Sequence, residues 1–170
     1  MRYAHYTNDL TFDEKVMMAI VRAAENFKRT HSAIFKKYGL SFPQYNILRV
    51  LEASDMGQNK ISVVGKIMLV PGANMTGLAK RTESKGFIVR KSDPKDDRVT
   101  LLAITQKGRD TLKEIENEKN RSIDKILEGI PLETKKELLN TITSIIKSTG
   151  MLQREISGLR PSEKTTAKTF

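Results

Sequence analysis

"KSDPKDDRVTLLAITQKG", Lys91 to Gly108, changes character halfway along. Its first half is charged and broken by Pro94. Its second half is apolar and β-branched and ends at Thr105, a residue suited to starting a helix. Pro94 has no N–H to give to a ladder, so it belongs in a turn and not inside a strand. The pattern predicts a β-hairpin, with strands over 87–91 and 99–104 and a tip over Ser92–Arg98. Asp93 and Asp96 can accept from nearby backbone amides and pre-shape the tip, which leaves Arg98 there as a long cation. Thr105 then caps a helix that begins near Gln106.

Two short helical patterns precede this hairpin. Val63, Val64, Ile67 and Met68 mark the first, and "VPGAN" (Val70–Asn74) interrupts it. The second buries Met75, Leu78, Ala79 and Thr82, spaced i, i+3, i+4, i+7. Its opposite face carries Asn74, Gly77, Lys80, Arg81 and Lys85, and Gly86 closes it. Two helices joined by a short turn, the second with a basic outer face, form a helix-turn-helix pattern. A hairpin directly after it is a wing: the apolar strand packs on the helices and the charged tip reaches toward a partner.

The flanks are helical. Thr11 and Glu14 form a T-x-x-E capping box, followed by Val16, Ile20, Ala23, Phe27, Ile34 and Tyr38 at helical spacing, with Gly39 as the stop. A second box, Ser41 to Gln44, has Pro43 in the first turn and opens a helix with Tyr45, Leu48, Val50 and Leu51 on its apolar face. Ser54–Lys60 reads as a loop by composition. After the wing, Leu112, Ile115, Ile123, Ile126 and Leu127 mark a long helix whose middle, Glu116–Ser122, is polar all round. Pro131 breaks it. A last helix carries Leu138, Leu139, Ile142, Ile145, Ile146 and Leu152, and the chain closes in a basic tail. The apolar faces over 16–27 and 138–152 exceed what a chain of this size buries within itself, so a twin subunit is expected to cover them.

The 170 residues are 38% hydrophobic and 29% charged, which suits a globular protein with a real core. The formal net charge of +10 favours an anionic partner, nucleic acid first among them. Cysteine is absent, which removes disulfides and thiolate sites and suits a reducing, cytoplasmic setting. No apolar run approaches the roughly 20 residues that span a bilayer, so no membrane partner is expected. His5 and His31 are the only imidazoles, and no Walker loop, H-E-x-x-H or G-x-G-x-x-G occurs. An enzyme, a cofactor and a metal site are therefore not expected.

"LSFPQYNILRVLEA" (Leu40–Ala53), "MTGLAKRTESKGFIVR" (Met75–Arg90) and "DPKDDRVTLLAITQKG" (Asp93–Gly108) resemble the MarR (multiple-antibiotic-resistance regulator) family of transcription factors. The wing pattern D-P-x-D-x-R, followed by an apolar strand and T-x-x-G, carries most of the likeness. The resemblance implies a mainly α (α+β) fold: a winged helix-turn-helix over 40–106, with a recognition helix near 72–85 and a wing over 87–104. Dimerisation helices would occupy 1–39 and 107–157, leaving a flexible basic tail over 158–170. It implies a homodimer on pseudo-palindromic double-stranded DNA, acting as a ligand-responsive repressor. By position, Arg98 matches the wing arginine that enters the minor groove and Asp96 the acid that holds it. Thr76 and Arg90 match positions lining a small-anion pocket in some members. Gly77 departs from the pattern where many relatives carry a base-contacting arginine, Thr82 where they carry a core leucine, and Pro71 where they carry a capping Ser or Asp.

The DNA-contacting candidates are thus Asn74, Thr76, Lys80, Arg81, Lys85, Lys95 and Arg98, with Asp96 in support. Asn74 is the expected base reader, since its amide can bond adenine at two points. Each has a plain reading beside it. Arg98 can simply pair with Asp96, Arg81 and Lys85 can form a solvated face, and Asn74 can be an ordinary first-turn residue. A cleft lined by His31, Phe35, Tyr45, Arg49, Thr76 and Arg90 would suit a small aromatic carboxylate, although His31 also reads as an ordinary surface or interface histidine. Two other functions stay open: an effector-independent architectural DNA-binding protein, and a winged-helix protein–protein module that no longer binds DNA.

Overall fold

Capping boxes set the two N-terminal helices. In the computed structural model, which describes residues 9–158, Thr11 and Glu14 cap each other's backbone amides at the start of α1 (Phe12–Lys36). Ser41 and Gln44 do the same for α2 (Phe42–Glu52), with Pro43 in its first turn. The C-terminal basic tail and His5 lie outside the described residues.

The stretch expected to be a loop, 54–60, is not one. It holds a 3₁₀ turn over Asp55–Gly57 and then strand β1 (Gln58–Lys60). Three polar residues carry no strand pattern of their own. Their pairing partner, remote in sequence, makes them a strand, since β1 pairs antiparallel with Leu101–Ala103. Next come α3 (Ile61–Ile67) and α4 (Gly72–Glu83), which meet at 108° across a four-residue break, the geometry of a helix-turn-helix. β2 (Ile88–Asp93) and β3 (Asp96–Ile104) form the hairpin, and the sheet order is β1-β3-β2. The strands run further than expected and leave only Pro94 and Lys95 in the turn, so Arg98 sits on β3 close to the tip and not within it. α5 (Gln106–Ile126) and α6 (Leu132–Ile156) complete the chain. The fold is mainly helical, as the sequence implies, and its antiparallel wing has three strands where two were expected.

Two compact units divide the chain, one reaching to Ile123 and one starting at Asp124. The first has the core. Phe35, Ile47, Leu48, Leu51, Val64, Met75, Ala79, Ile88, Leu102 and Ile115 are all but sealed from solvent. Thr82 joins them because its hydroxyl donates to the Leu78 carbonyl at 2.8 Å, which leaves no unpaired polar group. Of the residues marking α3, Val64 is buried, whereas Val63 and Ile67 face outward. α5 is pinned to this core by ion pairs from Arg109 to Glu52 and from Glu118 to Lys37. In the second unit, α6 has no buried residue at all despite exposing Leu138, Leu139, Ile146, Met151 and Leu152.

The T-x-x-G motif closes the wing onto α5. The Thr105 hydroxyl lies within donating distance of the Gly86 (2.8 Å) and Phe87 (3.0 Å) carbonyls and accepts from the Gly108 amide at 3.1 Å. A Cβ on Gly108 would stand 2.5 Å from the Phe87 carbonyl oxygen and 2.7 Å from Ile104 Cγ1. Alanine would gain about 1 kcal/mol in helix propensity, but a clash with fixed backbone costs about 1–3 kcal/mol. Gly108→Ala should therefore lower stability in a urea titration; an unchanged or raised midpoint would show that the junction yields.

Candidate nucleic-acid interface

α4 presents two unlike faces. Met75, Leu78, Ala79 and Thr82 are buried, while Asn74, Thr76, Lys80 and Arg81 are exposed. The face is shallow. A Cβ on Gly72 would meet nothing, and one on Gly77 only Arg81 Nη1 at 3.4 Å. The fold itself thus places no demand for glycine at either position, and the Arg81 guanidinium lies over Gly77, where a longer side chain would project. Pro71 caps α4 without a side-chain bond, so the first-turn amides face outward.

The wing tip is built by two aspartates. Asp93 accepts from the Lys95 amide at 3.0 Å and lies 3.5 Å from Lys60 Nζ on β1. Asp96 accepts from the Arg98 amide at 3.0 Å. The Lys95 amide bond, followed by the charges of Lys60 and Lys95, holds the Asp93 carboxyl below its ordinary range. Asp96 therefore fixes the backbone of Arg98 and not its guanidinium. Arg98 is exposed and takes part in no ion pair among the described residues.

Two expected positions fall elsewhere. Lys85 lies beyond the end of α4, and its ammonium donates to the Gly39 carbonyl at 2.7 Å and to Gln44 at 3.2 Å, bracing the α1–α2 turn. It is used internally and does not extend the basic face. Arg90, expected in an anion pocket, donates to Glu83 from Nε at 2.6 Å and from its amide at 2.8 Å. Thr76 sits on the outer face of α4, its hydroxyl directed to the Gly72 carbonyl at 3.4 Å.

A cleft of about 310 Å³ does occur in the first unit, where α1, α2 and α5 meet. His31, Phe35, Tyr45 and Arg49 line it; Thr76 and Arg90 do not. Phe27, Phe42, Asn46, Lys119 and Ile123 complete the walls. Lys119 went unrecognised because it lies in the polar middle of α5, where periodicity signals only solvent, and Ile123, read as an apolar position of that helix, gave no sign of the cleft it faces. Phe35 stacks on Tyr45 with centroids 3.9 Å apart, and burial pushes the Tyr45 phenol up from its ordinary range, so it stays neutral. His31, read as an ordinary surface or interface residue on one account, is only 1% exposed. Among the described residues no group of three or more His, Asp or Glu could hold a metal ion, and no single helix is long and apolar enough to cross a membrane.

The profile of the family described as Transcriptional regulator SarA/Rot matches residues 29–115, about half of the chain. The HTH-type transcriptional regulator TtmR of Methylorubrum extorquens is 28% identical over 99 residues, 58% of this chain. The chain spans half the length of that relative. Among solved structures, the MarR family regulator Sco3205 of Streptomyces coelicolor, in complex with DNA, superposes with a TM-score of 0.73 at 19% identity, covering 93% of this chain and 95% of that one. CouR of Rhodococcus jostii RHA1, bound to p-coumaroyl-CoA, superposes with a TM-score of 0.69 at 23% identity, covering 79% and 94%. The chain belongs to the SarA/Rot family of transcriptional regulators, a family of regulators and not of enzymes, and it shares the fold of the MarR family regulators.

The Glu83–Arg90 pair ties α4 to β2 and so fixes the angle between helix and wing. Hydrogen bonds from the Arg90 side chain and then its amide hold the Glu83 carboxyl below its usual range. A carboxyl lowered in the folded state stabilises above its unfolded value, and that stability is lost as pH falls through the folded value. With both side chains 31% exposed, solvent limits the contribution to about 1 kcal/mol. Glu83→Gln should be less stable at neutral pH and show a shallower loss of melting temperature below the usual carboxylate range. Coincident acid slopes would show that the pair is not coupled to folding.

Proposed function

We propose that the chain is a sequence-specific DNA-binding regulator that acts as a homodimer on a pseudo-palindromic operator. The observation that carries this reading is Arg98, exposed on β3 close to a tip pre-shaped by two aspartates and without an ion pair among the described residues. The basic surplus of +10 supports it, as does the fold shared with a regulator solved on DNA. α4 would enter the major groove as recognition helix, with Asn74 against a base edge, Lys80 and Arg81 toward phosphates, and its uncapped first turn close to the backbone. Lys95 would contact phosphate, and Arg98 would enter the flanking minor groove, where narrow A·T-rich sequence concentrates negative potential.

Arg98→Ala should weaken operator binding by about 1–3 kcal/mol and flatten the log–log salt dependence by roughly one unit per lobe. Asp96→Ala should weaken it less, since it loosens Arg98 without removing it. Fluorescence anisotropy at two salt concentrations measures both effects. Wild-type affinity in Arg98→Ala would reduce the hairpin to a structural flap.

The dimer reading rests on two helices considered separately. α1 exposes Phe12, Val16, Met17, Met18, Val21 and Phe27 and buries only residues of its last turns, and α6 buries nothing. Apolar helix faces of this length need a partner surface, and a twin subunit supplies one. Light scattering at micromolar concentration should give twice the chain mass; a stable folded monomer would contradict it.

The reading extends to a ligand-responsive repressor. The aromatic cleft with Arg49 and Lys119 on its walls suits a small aromatic carboxylate. Such a ligand would release DNA by binding better to a lobe spacing that misfits the duplex.

A further inference from the structure

Lys15, Arg22, Arg29 and Lys36 follow one another along α1 at steps of seven residues. An α-helix makes almost two full turns in seven residues, so successive members drift by only about 20°. The cations therefore form one ridge, about 60° wide and about 31 Å long at 1.5 Å per residue. All of them are exposed. His31, Ile34 and Phe35, the residues that α1 buries, lie on average about half a turn round the axis. The ridge thus faces away from the core.

Little acid offsets it. Glu25 stands beside the ridge, and its carboxylate accepts from Lys28 at 2.8 Å. Asp13 and Glu14 belong to the first turn, where Glu14 closes the cap with Thr11. The other residues on the ridge's side, Met18, Asn26 and Ala33, are uncharged.

The spacing decides the kind of partner. Cations in a row, about 10 Å apart, cannot converge on one small anion. A single methionine does not build the apolar centre of a protein interface. A polymer charged at every step meets the whole row, and duplex DNA carries about one negative charge per 1.7 Å of its axis. The ridge is as long as roughly nine base pairs, a footprint of its own. α1 packs chiefly against α2, and the ridge shares no residue with the contacts assigned to α4 and the wing.

We infer that the outward ridge of α1 is a second DNA-binding surface, which holds the phosphate backbone of a separate duplex without reading its sequence. This rests on the reading above for the first duplex, held by α4 and the wing, and makes the protein a bridge between two duplexes.

A two-duplex capture experiment tests the bridge. The full chain is bound at low salt to a bead-tethered duplex of scrambled sequence, and a labelled second duplex is then offered. Wild type should capture the label, and capture should fall steeply as salt rises from about 50 to 200 mM. With Lys15→Gln, Arg22→Gln, Arg29→Gln and Lys36→Gln combined, capture should drop at least about tenfold, while attachment to the tethered duplex stays within about twofold. Glutamine preserves helix propensity, and melting curves check folding. A variant that exchanges lysine and arginine at the same positions should capture as wild type does. Undiminished capture by the glutamine variant overturns the inference, as does a wild type that attaches but captures nothing; both leave the regulator reading standing. Equal loss of attachment and capture would place the ridge in the first interface and overturn the inference too. If wild type attaches neither to scrambled duplex nor to the DNA upstream of its own gene, the regulator reading falls and takes this inference with it.

Discussion

One threonine hydroxyl determines where the wing stands. Thr105 ends β3 and caps α5, and its side chain reaches the carbonyls of Gly86 and Phe87 at the start of β2. The hairpin stem, the turn after α4 and the first turn of α5 therefore meet at one point, with no room for a Cβ on Gly108. Lysines brace the same place: Lys107 donates to the Lys85 carbonyl and covers the Phe87 ring, and Lys85 reaches the Gly39 carbonyl. A charged tip several residues away can present Arg98 at a fixed height only because its stem is held this tightly.

From that junction the two proposed contact elements are positioned by separate means. α4 is fixed by its buried face and by Glu83 gripping Arg90 on β2. The tip is fixed by Asp93, which joins the Lys95 amide to Lys60 on β1. β1 thus has a purpose beyond its three residues: it anchors the outer end of the hairpin to the strand that leads into the helix-turn-helix. Stability and presentation share residues here, and for that reason cations such as Lys85 and Arg90 are consumed by the scaffold while Lys80, Arg81 and Arg98 stay available.

Local signals in the sequence were enough for most of the fold. Both capping boxes, the i, i+3, i+4, i+7 face of α4, the proline-marked hairpin and the Thr105 cap depend on residues within a few positions of one another, and each is visible as spacing. What could not be read depends on distant partners. Gln58–Lys60 are a strand only because Leu101–Ala103 lie beside them. Lys119 and Ile123 line the cleft only because α5 packs beside α1 and α2. Lys85 and Arg90 look like free cations until Gly39 and Glu83 are seen against them. Thr82, a departure from the family pattern, is reconciled by a hydroxyl bonded within its own helix. Gly77 is not reconciled by the fold, since nothing among the described residues requires glycine there.

The proposed function requires that two such lobes, one per subunit, hold a duplex between them. Hydroxyl-radical footprinting on the DNA upstream of the protein's own gene tests it most directly. Two protected minor-groove segments are expected, placed symmetrically about a centre, with half-sites about one helical turn apart. A single asymmetric patch, or cleavage unchanged at saturating protein and low salt, would contradict it.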